Sequence, residues 1–572
     1  MPSRTLSRSP VFGSDAASFV QPYCLPTHPC FPSLDRWASL NATTSGRLFR
    51  PDGDVPCDAA SCADPWWRIE QPAAVMFLNF ENGQGLDPSL GTHPNQTAQS
   101  VEEAASSAQD RTPAYVLEAL HAEDAVAAVN YAREHRLRLR VKNTGHDYLG
   151  RSSDPGSFTL WTNKLKNREY DAQFVPAGAP EGTQPEKAIR AGAGNVVQDL
   201  YQAADEAGVV VTAGVSRTVG GAGGFALGGG HGPFAPLHGL AADNILEFTV
   251  VTANGTLLRT SPYQHPTLFT ALRGGGSAFA VVVETVFRVH TPPAGFVGIF
   301  GEFSVAKNAT KEDGDEAWKE LMKRWVGLQP KLSDAAPFAG YTYVQRPAGT
   351  PFAYVLPTPN IALARELFTP VFQWADKDPS IDIEYKYVEE ENWYKLWHGP
   401  FTDALESLDA VGIPLLLGSR LVPKEVVEKK GDDLAAFLAT SSSPAVVHLV
   451  AGGKVQEEPA HPSSVNPAWR HALLHIDLPI SWSSTSSSSS SIAALSKYLT
   501  AHTLSLGSIA SSLGHAEASY SSESNYHEPE QRWSGIWYGE ENYEALLRAK
   551  REWDPEGVFT ARRAVGSEVV GW

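Results

Sequence analysis

Apolar positions recur at helical and at alternating spacings, in an order that predicts helices feeding strands. HAEDAVAAVNYAREH, residues 121–135, spaces Ala and Val along one helix face, and LRLRVK behind it reads as a strand entering a Gly-containing loop. The order repeats: VVQDLYQAADEAG, 196–208, is an amphipathic helix closed by Gly208, and VVVTAG follows as a buried strand. ILEFTVVTANGTLLRT predicts two strands around Asn254-Gly255, a dipeptide suited to the positive φ angles of a tight hairpin. A short helix, PTLFTALRGGG, leads into the Val-rich strand SAFAVVVETVFRVH. Residues 112–294 therefore read as one α+β domain.

Beyond Pro292 the glycine content falls. Strands such as VGIFGEFSV, FAGYTYVQR and PLLLGSRLVP interleave with helices such as EAWKELMKRWVGL and DLAAFLAT, which predicts a second α+β domain over 295–505. Within it SSTSSSSSS, 483–491, reads as a flexible polar insert. The last segment, 506–572, carries a helix in YGEENYEALLRAKREWDPEGVF that ends before Asp554-Pro555. Residues 1–111 are rich in Pro, Ser, Asp and Gly, and predict a disordered tip followed by a Cys-stapled extension.

Length and charge narrow the classes. A chain of 572 residues exceeds the roughly 250–300 at which single cores stop growing, so two folded domains fit its size. A formal net charge of −18 repels phosphate backbones, which argues against a nucleic-acid partner. No apolar run reaches the roughly 18–20 residues of a membrane span, and the start has basic residues without an apolar stretch behind them, so neither a membrane helix nor a signal peptide is expected. The four cysteines, Cys24, Cys30, Cys57 and Cys62, lie at spacings unlike the usual zinc half-sites, so disulfides are expected, with three pairings open. Sequons at Asn41, Asn95, Asn254 and Asn308 agree with a secretory compartment. A monomer is expected.

Two glycine-bearing stretches carry the candidate chemistry. In VKNTGHDYLGRSS, 141–153, a strand runs into a loop with Lys142, Gly145, His146 and Gly150; glycines there let consecutive N–H groups converge on an anion such as a diphosphate. In TAGVSRTVGGAGGFALGGGHGP, 212–233, nine glycines fall between Gly214 and Gly232, Gly220 and Gly224 among them. Such density costs chain entropy and packs little, so a backbone-lined surface for a large planar or phosphorylated ligand explains it better than core filling. It lacks a G-x-G-x-x-G turn opening a βαβ unit, which disfavours a nicotinamide dinucleotide on a Rossmann domain.

The succession KNTGHDYLGRS, AGVSRTVGGAGGFALGGGHGP, GLAADNILEFTVVTANG and LFTALRGGGSAFAVVVETVF resembles the PCMH-type FAD-binding domain of the vanillyl-alcohol-oxidase superfamily. The terminal YGEENYEALLRAKREWDPEGVF is similar to the berberine-bridge-like C-terminal element. With CLPTHPCFPSLDRWASLNATTSGRL, LGSRLVP and NPAWRHALLHI, the likeness spans nearly the whole chain and is closest to the fungal branch.

The resemblance implies FAD between two domains, with its diphosphate in the first loop and its ring facing a substrate cavity. His146 matches the histidine that relatives join to the flavin 8α-methyl. Many relatives add a cysteine tether at the position of Ser216, which cannot form a thioether, so a single link is expected. Asn542 and Tyr543 match residues that return to the flavin's edge. Tyr520 and Glu523, in ASYSSESNY, stand where the fungal branch has Y-L-N-E, although two intervening positions differ. The implied chemistry is oxidation of a small organic molecule, a secondary-metabolite intermediate, with molecular oxygen as acceptor and Tyr520 as candidate base. A carbohydrate oxidase on the same scaffold and a flavin-free binding protein are the alternatives. Tyr341, Tyr343, Trp393 and Trp397 fall in the substrate domain, where aromatic residues are more often core than contact.

Overall fold

The computed structural model describes residues 23–51, 64, 66, 69–70, 77–78, 113–346, 349–405, 411, 413–482 and 489–569. Cys57, Cys62, the Asn95 sequon and the expected N-terminal tip lie outside them. Strands are numbered in chain order: β1 (Leu48–Phe49), β2 (Phe77–Leu78), β3 (Tyr115–Glu118), β4 (Leu139–Lys142) and β5 (Phe158–Trp161). Then come β6 (Arg168–Phe174), β7 (Glu186–Gly192), β8 (Ile245–Thr252), β9 (Leu257–Thr260) and β10 (Ala280–Arg288). β1, β3, β5 and β4 form one sheet in that order, and β6-β7-β10-β8-β9 a second.

The predicted helices take their places over these sheets. The helix Ala122–Glu134 starts where the Asp124 carboxylate accepts the Leu120 and His121 N–H groups, satisfying donors that the first turn leaves unpaired. The helix Val197–Glu206 is followed by Gly208 at φ 64°, and Gly255 turns the β8–β9 hairpin at φ 80°. One expected element differs. VVVTAG is buried but forms only the bridge Val210–His290 rather than a strand. Its far end runs against the glycine loop, where a Cβ on Gly232 would lie 1.8 Å from the Ala213 carbonyl oxygen, so a neighbouring backbone occupies the room a ladder would need.

The remaining strands are β11 (Phe296–Val305), β12 (Ala339–Val344), β13 (Thr350–Leu356), β14 (Ile381–Glu390), β15 (Ile413–Pro423), β16 (Ala445–Leu449) and β17 (Ala472–Ser481). They build an eight-stranded sheet in the order β14-β11-β13-β12-β16-β17-β15-β2. All of its neighbours are antiparallel except β2, which pairs parallel with β15 and so brings residues 77–78 to this sheet. Helices Lys311–Ala335, Ile361–Lys377 and Gly431–Thr440 bury Trp318, Leu321, Trp325, Phe368, Phe372 and Leu434 in the core beneath it. The helix Ser489–Ser511 takes up the end of the serine tract, whose residues 483–488 lie outside the described set.

Residues 23–51, the described part of the Cys-bearing extension, pack onto the main core. Cys24 and Cys30 are joined by a disulfide, and Trp37 from helix Leu34–Thr43 stacks on Tyr115 at 3.9 Å within the main core. The molecule is α+β, with a cavity between the glycine-rich region and the eight-stranded sheet.

Candidate active site

A cavity of about 800 Å³, in the size range of cofactor and ligand sites, opens where the glycine run meets strands β12, β16 and β17. One wall is mostly backbone. The loop after β4 contributes Asn143, Thr144, Gly145, His146 and Asp147, and the run contributes Gly214, Ser216, Gly220, Gly223, Gly224 and Gly228. Gly145 takes φ 88°, a conformation favoured by glycine. A Cβ on Gly220 or Gly223 would meet the Asn143 side-chain nitrogen at 2.5 or 2.4 Å, whereas one on Gly224 would enter open space. The glycines thus serve two ends: some let the run close onto the loop, and Gly224 keeps the wall bare.

This wall fits FAD. It presents bare backbone, a buried Asn143 Oδ1 without a hydrogen-bond partner, and a histidine on the rim. His146 borders the cavity with Nε2 2.8 Å from Thr218 Oγ1, and burial holds its imidazole down to about 3, which keeps a neutral, nucleophilic ring. Ser216 lies on the same wall. Arg151, which the sequence reading did not single out, also lines the cavity and is held by Asp147 at 2.5 Å.

The facing wall is side chain. Tyr341 and Tyr343 of β12, His448 of β16 and Asp477 of β17 project into the cavity, joined by His231 from the glycine loop and by Tyr520 and Glu523 from the C-terminal segment. His448 and His475 are direct cross-strand partners, and Tyr341 is the partner of His448 across β12. The Gly230 N–H donates to Tyr520 Oη at 3.2 Å, and His231 Nε2 lies 3.0 Å from Glu523 Oε2. Burial, with the charge of Glu523 beside it, pushes the Tyr520 phenol above its ordinary range. Burial also drives the His448 and His475 imidazoles well below theirs.

His146, Gly145, Gly214, Ser216, Gly220, Gly224, Tyr520 and Glu523 meet at one cavity. Four other expected residues stand behind its walls. Lys142 is buried with Nζ 5.0 Å from the Trp161 ring centroid, and Gly150 turns the loop at φ 72°. Asn542 Nδ2 donates to the Ser464 carbonyl at 2.8 Å, in the segment that closes on Gly274, and Tyr543 donates to Glu568 at 2.7 Å. Of the four aromatic residues in the substrate region, Tyr341 and Tyr343 line the cavity, whereas Trp393 and Trp397 pack in the core against Tyr201.

Sequence reasoning missed His231, His448, His475 and Asp477. The signal was present: His448 interrupts AVVHLV, and His475 and Asp477 alternate in LLHIDLP, so each places polar groups on one face of an apolar strand.

Comparison with known proteins places this site in a family. Residues 113–261 match the FAD binding domain model and 524–566 the berberine and berberine-like model. An uncharacterized FAD-linked oxidoreductase of Arthroderma benhamiae is 33% identical, over 95% of this chain and 94% of its own. Among solved structures, the VAO-type flavoprotein MtVAO615 from Myceliophthora thermophila C1 is similar with a TM-score of 0.77 and 26% identity, over 96% of this chain and 97% of its own. The glucooligosaccharide oxidase of Acremonium strictum, described with a 6-S-cysteinyl, 8α-N1-histidyl FAD, shares the fold at a TM-score of 0.64 and 18% identity, over 80% of this chain and 93% of its own. The chain belongs to the berberine-bridge-like FAD-linked oxidoreductases of the vanillyl-alcohol-oxidase family. It is an FAD enzyme acting on a small molecule, and among the described residues no helix is long and apolar enough to cross a membrane.

Proposed function

We propose that FAD is tethered to this chain by one covalent bond, through His146, and that the enzyme oxidises a small alcohol-bearing organic molecule, a secondary-metabolite intermediate, with molecular oxygen as electron acceptor. The observation that carries this reading is the pairing of His146 and Ser216 on one wall of a cavity whose other wall holds Tyr520 and Glu523. When bound, the flavin supplies a hydride acceptor. The chain has to bind and orient both molecules and take the hydroxyl proton.

Gly220, Gly223 and Gly224, with the 143–147 loop, form the cradle for the cofactor. Tyr341 and Tyr343 orient the substrate from β12. Glu523, accepting from His231, is placed to receive the hydroxyl proton. Tyr520, anchored by the Gly230 N–H, stands beside it; burial and then the Glu523 charge hold its phenol protonated, so Glu523 rather than Tyr520 is the proton acceptor. Ser216 lacks the thiol that would make a second link. A neutral imidazole at His146 suits attachment, because only its unprotonated nitrogen can act as nucleophile.

Acid precipitation of the purified yellow protein tests the tether. Flavin remaining with the pellet is expected, and full release into the supernatant overturns the covalent link. Peroxide formation, screened over alcohols, phenols and oligosaccharides, tests the reaction; turnover confined to oligosaccharides would replace the substrate proposed here by a carbohydrate.

A further inference from the structure

Three imidazoles and a carboxylate converge from four separate parts of the chain at the floor of the cavity. His231 comes from the glycine loop, His448 from β16, His475 from β17 and Glu523 from the C-terminal segment, and one donor atom of each lies within 4.8 Å of all the others. We propose that these four residues bind one divalent transition-metal ion that favours imidazole, zinc being the first candidate, with an open position toward the substrate.

The donor chemistry is that of a catalytic zinc set, in which nitrogen and carboxylate ligands leave room for a further oxygen. Bonds of about 2.0–2.1 Å put donors about 3.3 Å apart in a tetrahedral site. Closing on an ion from 4.8 Å or less asks each side chain to move by about an ångström or less.

The hydrogen bonding inside the cluster points the same way. His231 Nδ1 and both ring nitrogens of His448 and of His475 are buried without hydrogen-bond partners, although buried polar groups in folded proteins are nearly always satisfied. Only His231 Nε2 is engaged, with Glu523. His475 Nδ1 lies 3.3 Å from Glu523 Oε2 and its Nε2 3.2 Å from Asp477 Oδ1, so a ring that ligates through Nδ1 keeps a carboxylate behind its other nitrogen. That is the usual outer partner of a metal-bound histidine. Asp477 also lies 3.7 Å from His448 Nε2.

Charge supports the same occupant. Glu523 and Asp477 share this place, and among the described residues each has only histidines within ion-pair distance. A dication between them balances both carboxylates.

His231, His448 and Glu523 line the cavity while His475 stands behind, so the open position faces the substrate. It suits a substrate that offers an oxygen donor: a hydroxyl, an enolate or a carboxylate. With the ion bound, His231 Nε2 ligates instead of donating to Glu523, and monodentate binding leaves Glu523 a second oxygen for the proton assigned to it above. Metal occupancy stands apart from the flavin reading, and only the facing of the substrate oxygen rests on it.

The flavin-loaded full chain is stripped with a chelator, dialysed, and titrated separately with zinc chloride and cobalt chloride, with metal counted by mass spectrometry and the visible ligand-field bands of cobalt recorded. One ion per chain and nitrogen-ligated cobalt bands are expected. His448→Gln and His475→Gln should each weaken binding at least 100-fold, and Asp477→Asn about 10–100-fold. If intact wild-type protein binds neither ion, or if binding persists in both histidine variants, the metal site is overturned. Wild-type cobalt bands decide the matter even where a variant fails to fold, and flavin absorbance in the same samples reports separately on the cofactor reading.

Discussion

The two walls of the cavity are made of different material. On the cofactor side the surface is backbone, bare because glycine stands where a side chain would collide or intrude. On the sheet side it is side chain, projected from strands whose register puts Tyr341, His448 and His475 in one row across β12, β16 and β17. A backbone wall tolerates no added atom where chain meets chain. A side-chain wall can change its residues while the strands persist, which lets one cofactor serve many substrates.

The strongest contrast comes from two glycines of the same run. Gly232→Ala would drive a Cβ to 1.8 Å from the Ala213 carbonyl oxygen, and backbone cannot swing aside as a side chain can. A loss of roughly 3 kcal/mol or more is expected, seen as a large drop in thermal midpoint or as insoluble protein. Gly224→Ala meets nothing within 4 Å, so its midpoint should stay near wild type while its flavin content falls. Equal midpoints for the two variants would show that the wall is not set by backbone collision.

The join between the walls comes next in size. Arg470 reaches from the sheet side to Asp243 at 2.8 and 2.9 Å, both side chains less than a tenth exposed. Arg470→Ala leaves a buried carboxylate without its cation and should cost roughly 3–5 kcal/mol in urea unfolding. Adding Asp243→Asn should recover part of that loss, and a double variant as unstable as the sum of its parts would deny that the pair acts as a unit.

The same contrast explains what could be read before the fold was known. Glycine spacing, the His146 loop and the helix-strand order are local, so the stretches that form this wall could be picked out in the sequence, although Lys142 and Gly150 within or beside them stand behind the cavity lining. Alternation in LLHIDLP says only that His475 and Asp477 share a face. Which face, and that His448 lies directly opposite, depends on residues 27 apart in number meeting in one register, and His231 and Glu523 join them only through tertiary packing. VVVTAG misled for a related reason: its apolar run measures burial, and burial beside a glycine loop leaves no partner strand. Asn542 and Tyr543 match a motif by position, whereas their observed contacts lie behind the wall.

The tether proposed at His146 can be sharpened by two variants. His146→Ala should keep the fold and release nearly all flavin on acid precipitation. Placing a cysteine beside it, His146→Ala with Ser216→Cys, should restore acid-stable flavin if position 216 faces the ring as the shared wall implies. A pellet that stays colourless in the double variant would put Ser216 out of reach.

The smallest expected effect separates two ways of burying histidine. His238 and His290 stack at 3.8 Å; among the described residues neither has a carboxylate within ion-pair distance of the kind that Glu523 and Asp477 give the sheet-side cluster, and His290 Nε2 lies 2.8 Å from Asn244 Oδ1. Burial first, and then the neighbouring His290 or Arg288 charge, lowers them from 6.5 to about 3 and about 4. As pH falls through 6.5 the unfolded chain takes up protons at both positions, and the folded chain does so only near 4 and 3. The unfolded state therefore binds more protons in that window, so this contribution is complete above 6.5 and is lost progressively toward 3. His238→Phe keeps a stacking ring and removes one titration. Its thermal midpoint should fall less steeply between pH 6.5 and 4 than that of the wild type, and parallel curves would mean that the pair is solvated well enough to protonate in place.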